Sequence, residues 1–236
     1  MAQDSLQPVG GTGGAQGLSL SMSGSAAERV MDLERLLGTR VQDEEGRGQE
    51  LRGLLRPEAD EFVTAPVLVW VRYLGCPVCR HQVDELKRVE DDLYENYQAY
   101  LVLLTNSPHR SVQPFREQWG TRHGRILVDR SGDTYDAAGL RRSLGTLFRP
   151  ASLRGVLRSM RQGFRHGPIE GDLRQLGGLV VLSSGAERVL YHYACQYVGD
   201  FVPIEALKRA TLESYGSPEA SGPVAGLSGL LAAAPS

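Results

Sequence analysis

Two apolar runs bracket one amphipathic stretch, and that arrangement limits the fold more than any other feature of the chain. The first run, "PVLVWVRY" (66–73), is continuous and rich in β-branched residues. Such a run marks a strand buried on both faces, because a strand with one wet face would alternate apolar and polar residues. The second run, "AYLVLL" (99–104), reads the same way. Between them, Val83, Leu86, Val89, Leu93 and Tyr97 recur at three- and four-residue steps. That spacing predicts a helix of about five turns starting near Pro77. Strand, crossover helix and strand make a βαβ unit over residues 66–104.

Further elements follow around this unit. Val30, Leu33, Leu36 and Leu37 keep helical spacing ahead of Gly38, which suits a C-cap. "TRVQDEEGRGQEL" (39–51) predicts a hairpin turning at "DEEG". A short helix is expected over "SVQPFREQWG" (111–120) and a strand over "RILVD" (125–129). "GGLVVLSS" (177–184) and "ERVLYHY" (187–193) predict a second hairpin across "SGAE". A last helix starts at Pro203, with Ile204, Leu207 and Leu212 expected to face inward. The ends, residues 1–25 and 216–236, are rich in small and polar residues and are expected to be disordered, leaving one domain over 26–215. "GGTGGAQG" (10–17) lacks the spacing of a dinucleotide loop and no strand precedes it.

A net charge of -2 argues against a general nucleic-acid binder. No apolar run reaches the ~18 residues that a membrane-spanning helix needs. The first 28 residues contain no Lys or Arg and no sustained apolar core, so neither a secretory signal nor an Arg-rich transit peptide is read there. The expected location is the cytoplasm.

Of the three cysteines, Cys76 and Cys79 form a Cys-x-x-Cys where the first buried strand turns into the crossover helix. The first N–H groups of a helix lack internal partners and carry partial positive charge. A thiolate there is stabilised and its pKa falls below the ~8.5 of a free cysteine. Cys76 is expected at or just before the N-cap and exposed, with Cys79 one turn in and more buried. Arg72 and Arg80 would add positive charge. Cys76 then reads as the attacking thiol and Cys79 as its resolving partner. Structural zinc needs four ligands, and beyond this pair the chain offers Cys195 and five scattered histidines without metal-ligand spacing, so no metal is expected. Two inert buried cysteines are the bland alternative. Cys195 reads as a packing residue.

"RYLGCPVCR", "ILVDRSGDTY", "GDLRQLGGLVVLSSGAERVLYHY" and "YVGDFVPIEAL" occur in this order and resemble the peroxiredoxin-like 2 group of the thioredoxin-like superfamily. The resemblance spans roughly residues 30–212. It implies a thioredoxin-like α/β fold, a central mixed sheet flanked by helices. It also implies reduction by Cys76 and Cys79 with no bound cofactor, and NADPH as electron source, directly or through thioredoxin or another thiol reductant. "GGLVVLS", "VLYHY" and "GDFVP" are most similar to members of the group that reduce the endoperoxides prostaglandin H2 and prostamide H2. Typical peroxiredoxins carry Pro and Thr ahead of the peroxidatic cysteine, where this chain has Val69 and Tyr73. Efficient hydrogen-peroxide reduction is therefore not expected. "QLGG" (175–178) is expected to face the cysteine turn, where Gly177 and Gly178 would either admit a substrate edge or simply start a strand.

Between Asp136 and Glu170 there are seven arginines and no acid. Leu153, Val156, Leu157, Met160 and Phe164 predict the packed face of a helix, and Arg154, Arg158, Arg161 and Arg165 a solvated one. Attraction of a carboxylate-bearing lipid, an anionic partner or a membrane surface is the sharper reading of those arginines. The function expected is thiol-dependent reduction of a peroxide-type substrate, best an endoperoxide. The alternatives are a general antioxidant or redox regulator, and a thioredoxin-like binding module without turnover.

Overall fold

The computed structural model describes residues 31–55 and 65–215. The chain runs α1 (Leu33–Leu37), β1 (Arg40–Gln42), β2 (Gly48–Glu50), α2 (Leu51–Leu54), β3 (Ala65–Val71), α3 (Pro77–Tyr97) and β4 (Ala99–Thr105). It continues through α4 (Val112–Trp119), β5 (Arg125–Val128), α5 (Asp133–Ala137), α6 (Pro150–Arg161), β6 (Gly178–Leu182), β7 (Val189–Ala194) and α7 (Ile204–Tyr215). The expected tails, including the "GGTGGAQG" stretch, and Val30 lie outside the described residues.

The seven strands form one sheet in the order β2-β1-β5-β4-β3-β6-β7. β3, β4 and β5 are parallel, and antiparallel pairs flank them on both sides. The continuous apolar strands are central, as their composition requires. Val67, Val69 and Val71 of β3 enter one core layer, while Leu68 and Trp70 enter the other. β4 divides likewise, Leu101 and Leu103 against Val102 and Leu104. α3 and α7 cover the first face, and α1, α2 and α5 cover the second. Among the described residues no helix is long and apolar enough to cross a membrane.

Two expectations about helix faces fail. On α7, Leu207 is buried but Leu212 is 50% exposed; Ala210 and Thr211 fill the core in its place. On α6, Leu153, Leu157 and Met160 are exposed, and the helix buries Ser152, Gly155 and Ser159 instead. Small residues let α6 approach closely: a Cβ on Gly155 would meet the backbone of Val198 and Gly199. Polar contacts hold that approach. His81 Nδ1 lies 3.0 Å from Ser159 Oγ, its ring stacks on Phe164, and the Val198 N–H donates to Ser152 Oγ.

Candidate active site

The sheet fixes the cysteine turn before the turn itself contributes. Asp129, at the end of β5, accepts from the Gly132 and Thr134 N–H groups and from the Thr134 hydroxyl, which sets α5 in place. Tyr135 on α5 then donates to the carbonyls of Val71 (2.7 Å) and Leu104 (3.2 Å), tying the ends of β3 and β4 together. The chain leaves β3 through Arg72, Tyr73, Leu74 and Gly75. The Leu74 N–H donates to Ser107 Oγ, and the Cys76 N–H to the Tyr73 carbonyl. Cys76 is the N-cap of α3 with extended backbone, and Pro77 opens the helix with its φ already preset.

This placement polarises the two sulfurs in opposite directions. The Cys79 thiol hydrogen-bonds the Cys76 sulfur, Arg72 adds positive charge, and the Cys79 and Val78 N–H groups point to it. Together these outweigh burial and lower the Cys76 pKa to about 6. Cys79, donor of that hydrogen bond and buried, is pushed well above the ordinary thiol value. The two thiols are therefore expected to ionise in separate steps, Cys76 first and Cys79 at higher pH.

Cys76 is not exposed, and it is not the less buried of the two. It is 1% exposed, against 6% for Cys79. A strap, residues 163–174, follows α6 and packs against the turn. The Gly167 N–H donates to the Gly75 carbonyl (2.8 Å), and Tyr73 Oη sits 2.9 Å from His166 Nε2. Arg80 donates to the carbonyls of Leu74 and Arg165, bridging turn and strap. Gly75 has no room for a side chain: a Cβ there would overlap the Pro168 carbonyl. Arg72 fastens the far end, donating to the carbonyls of Leu173 (2.6 Å) and Gln175 (3.1 Å).

The other expected site residues divide. Arg72 lies close enough to Cys76 for its charge to act on the sulfur. Gly177 and Gly178 lie beside the end of β3, with Gly178 in register with Trp70, and what their missing side chains admit is protein: the Trp70 carbonyl at Gly177, and Leu140 with the Tyr193 carbonyl at Gly178. Arg154 and Arg158 are exposed on α6, and Arg158 lies over the Phe201 ring. Beside the strap lies an open cavity of about 550 Å³ whose lining includes Arg110, Arg130, Arg142, Glu170 and Arg174, which sequence reading did not find. Glu170 pairs with Arg110, and Asp172 with Arg142 and Arg174. Arg130 donates to the Asn106 carbonyl and, among the described residues, forms no ion pair, although its charge reaches Glu170.

Cys195 is buried, its thiol donates to the Asp200 carbonyl, and burial raises its pKa. pH-dependent alkylation with mass mapping is expected to rank the thiols accordingly. The Cys76 rate should rise with pH through about 6 and level off near pH 7, since only the thiolate reacts. Cys195 should stay unmodified across that range. A fastest-reacting Cys195 would overturn the assignment.

A family described as "AhpC/TSA antioxidant enzyme" matches residues 85–196, starting after both cysteines. The prostamide/prostaglandin F synthase of Salmo salar is 30% identical over 170 residues, covering 70% of this chain and 80% of that protein. The chain belongs to the peroxiredoxin-like 2 family. The Bos taurus prostamide/prostaglandin F synthase is 28% identical, over 70% of this chain and 80% of its own. Among solved structures, the thiol peroxidase of Chromobacterium violaceum superposes with a TM-score of 0.50 at 13% identity, over 74% of this chain and 82% of that one. The bacterioferritin comigratory protein of Xanthomonas campestris does so with a TM-score of 0.50 at 11% identity, over 78% and 95%. At such identities the two structures speak for the thioredoxin-like fold, and the family places the chain among peroxiredoxin-like oxidoreductases.

Proposed function

We propose that the chain reduces a peroxide-type substrate with Cys76 and Cys79, and that the substrate is a lipid endoperoxide such as prostaglandin H2 or prostamide H2. The observation that carries the reading is the placement of the pair: two buried cysteines three residues apart, with Cys76 on the N-cap of α3, where its pKa is lowered and that of Cys79 is raised. The Cys76 thiolate attacks one peroxide oxygen and the O–O bond breaks. The departing alkoxide takes a proton from solvent. Cys79 gives up its proton and attacks the Cys76 sulfur; the second oxygen leaves and is protonated. The products are a diol and a Cys76–Cys79 disulfide, a two-electron exchange that balances.

Two features favour a lipid acid over hydrogen peroxide. Tyr73 stands where peroxiredoxins carry the threonine, and its phenol is engaged with His166. In the cavity beside the strap, Arg130, which forms no ion pair among the described residues, offers a receptor for a carboxylate. The electrons come from NADPH through thioredoxin or a comparable thiol reductant, because the sequence contains no dinucleotide fingerprint. The second reading, a general antioxidant reductase, is favoured by the description of the matched family.

One assay separates these readings: purified protein with prostaglandin H2, a lipid hydroperoxide and hydrogen peroxide in parallel, given NADPH alone or a complete thioredoxin system. Turnover is expected with the endoperoxide and the complete system. Equal turnover of all three substrates would favour the antioxidant reading, and turnover of none would remove both.

A further inference from the structure

We propose that α6 and the turn before it form a surface that seats on an anionic lipid bilayer. The proposal does not depend on which peroxide the dithiol reduces. Among the described residues nine large apolar side chains are exposed, and seven of them fall between residues 144 and 173. Phe148, in the 3₁₀ turn ahead of α6, is 87% exposed, and Leu153 is 69% exposed. Leu153, Leu157 and Met160 lie within about 60° of one another around the helix axis, at 100° per residue. Arg154, Arg158 and Arg161 form a second stripe centred about 100° further round. The third side of the helix, Ser152, Gly155 and Ser159, is the one packed on the protein. The exposed apolar stripe is thus no packing fault; the small-residue face is built to hold the helix this way out.

Charge selects the occupant. Residues 137–169 contain no acid, and Arg149, Arg154, Arg158, Arg161 and Arg165 are all exposed. Among the described residues none of these five forms an ion pair. A second copy of the chain docking here by two-fold symmetry would set arginine stripes against arginine stripes with no carboxylate between them. A bilayer containing phosphatidylserine satisfies both stripes at once. The apolar one enters below the headgroups, and the guanidinium groups meet phosphate and carboxylate oxygens. α6 runs straight into the strap that packs on Tyr73 and Gly75, so a lipid-borne substrate would arrive on that side of the cysteine turn.

Vesicle co-sedimentation of the full chain tests the idea, with phosphatidylcholine alone and with phosphatidylcholine plus phosphatidylserine. Binding is expected only to the anionic vesicles and should fall at high salt. The triple variant Arg149→Gln/Arg154→Gln/Arg161→Gln should bind on the order of 100-fold more weakly. Leu153→Asn/Leu157→Asn should lose at least about tenfold. All five positions are exposed, so an unchanged melting temperature will show that the fold survives. The proposal is overturned if wild type ignores anionic vesicles at low salt, or if both variants bind like wild type. It is overturned equally if the chain dimerises through Leu153 and Leu157 without vesicle binding. Sedimentation is read without turnover, so its failure would leave the dithiol reading untouched.

Discussion

Cys76→Ser is expected to abolish turnover, and Cys79→Ser to leave one round of chemistry that then stalls. A serine hydroxyl on the N-cap is a far poorer nucleophile than a thiolate, so the loss in Cys76→Ser should be complete within assay limits. Cys79→Ser keeps the attacker but removes the resolver. It also removes the largest cause of the low Cys76 pKa, the Cys79 thiol hydrogen bond. A serine hydroxyl would donate in its place, so a reactive thiolate should persist. The variant should accumulate an adduct on Cys76: a sulfenic acid from a hydroperoxide, or a mixed disulfide with added thiol. Wild type treated with substrate should lose two free thiols and gain a Cys76–Cys79 bridge. Acid-quenched intact mass distinguishes all of these species. Wild-type turnover in Cys79→Ser with no adduct would replace the two-cysteine route with a one-cysteine mechanism. No difference from wild type in either variant would make the pair structural.

The sheet was legible because its physics is local. A strand buried on both faces is apolar nearly throughout, and β3, β4 and β6 are buried at every position, with Thr105 at the end of β4 their one polar side chain. The crossover helix announced itself by its three- and four-residue spacing and by Pro77, and both hairpins by their turns. α6 shows where periodicity stops informing. The pattern locates an apolar stripe, but the packed side is chosen by what fits, and here Gly155 against Gly199 allows a closer approach than leucines would. Leu212 on α7 failed for the same reason. α2 and α5 are too short to leave a period in the sequence.

The site was legible to the same depth. A Cys-x-x-Cys between a buried strand and Pro77 fixes an N-cap at Cys76, while the largest cause of its lowered pKa, the hydrogen bond from Cys79, is a matter of side-chain geometry that the spacing alone does not give. The burial of Cys76 was not readable, because the strap packed against its turn lies about 90 residues later in the chain and has neither helical nor strand spacing. A faint signal existed: "HGPIEGD" (166–172) supplies two glycines and a proline, the chemistry of a chain that must run close to another backbone. Gly167 and Gly171 are used in that way, against Arg80 and Gly75 for one and Asn106 and Tyr73 for the other.

If the strap controls access to the thiolate, loosening it should raise Cys76 reactivity without changing its acidity. Gly75→Ala forces the issue, since the new methyl would occupy the space of the Pro168 carbonyl. Overpacking of this kind costs roughly 1–3 kcal/mol. In a domain of this size that lowers the melting temperature by about 2–4 °C per kcal/mol. Where the strap yields, the same free energy favours its open form. Alkylation of Cys76 at neutral pH should then rise on the order of tenfold or more. His166→Ala is the milder companion. His166 is exposed, so the fold should hold, and loss of the Tyr73 hydrogen bond removes about 0.5–1.5 kcal/mol from the closed strap. That corresponds to an alkylation rate increase of roughly 2- to 12-fold. In both variants the pH midpoint for Cys76 should stay near 6, because Cys79, Arg72 and the helix N–H groups that set it are untouched. A Gly75→Ala protein that melts earlier but alkylates at the wild-type rate would mean that the strap stabilises the turn without gating it. The substrate would then reach Cys76 by another route.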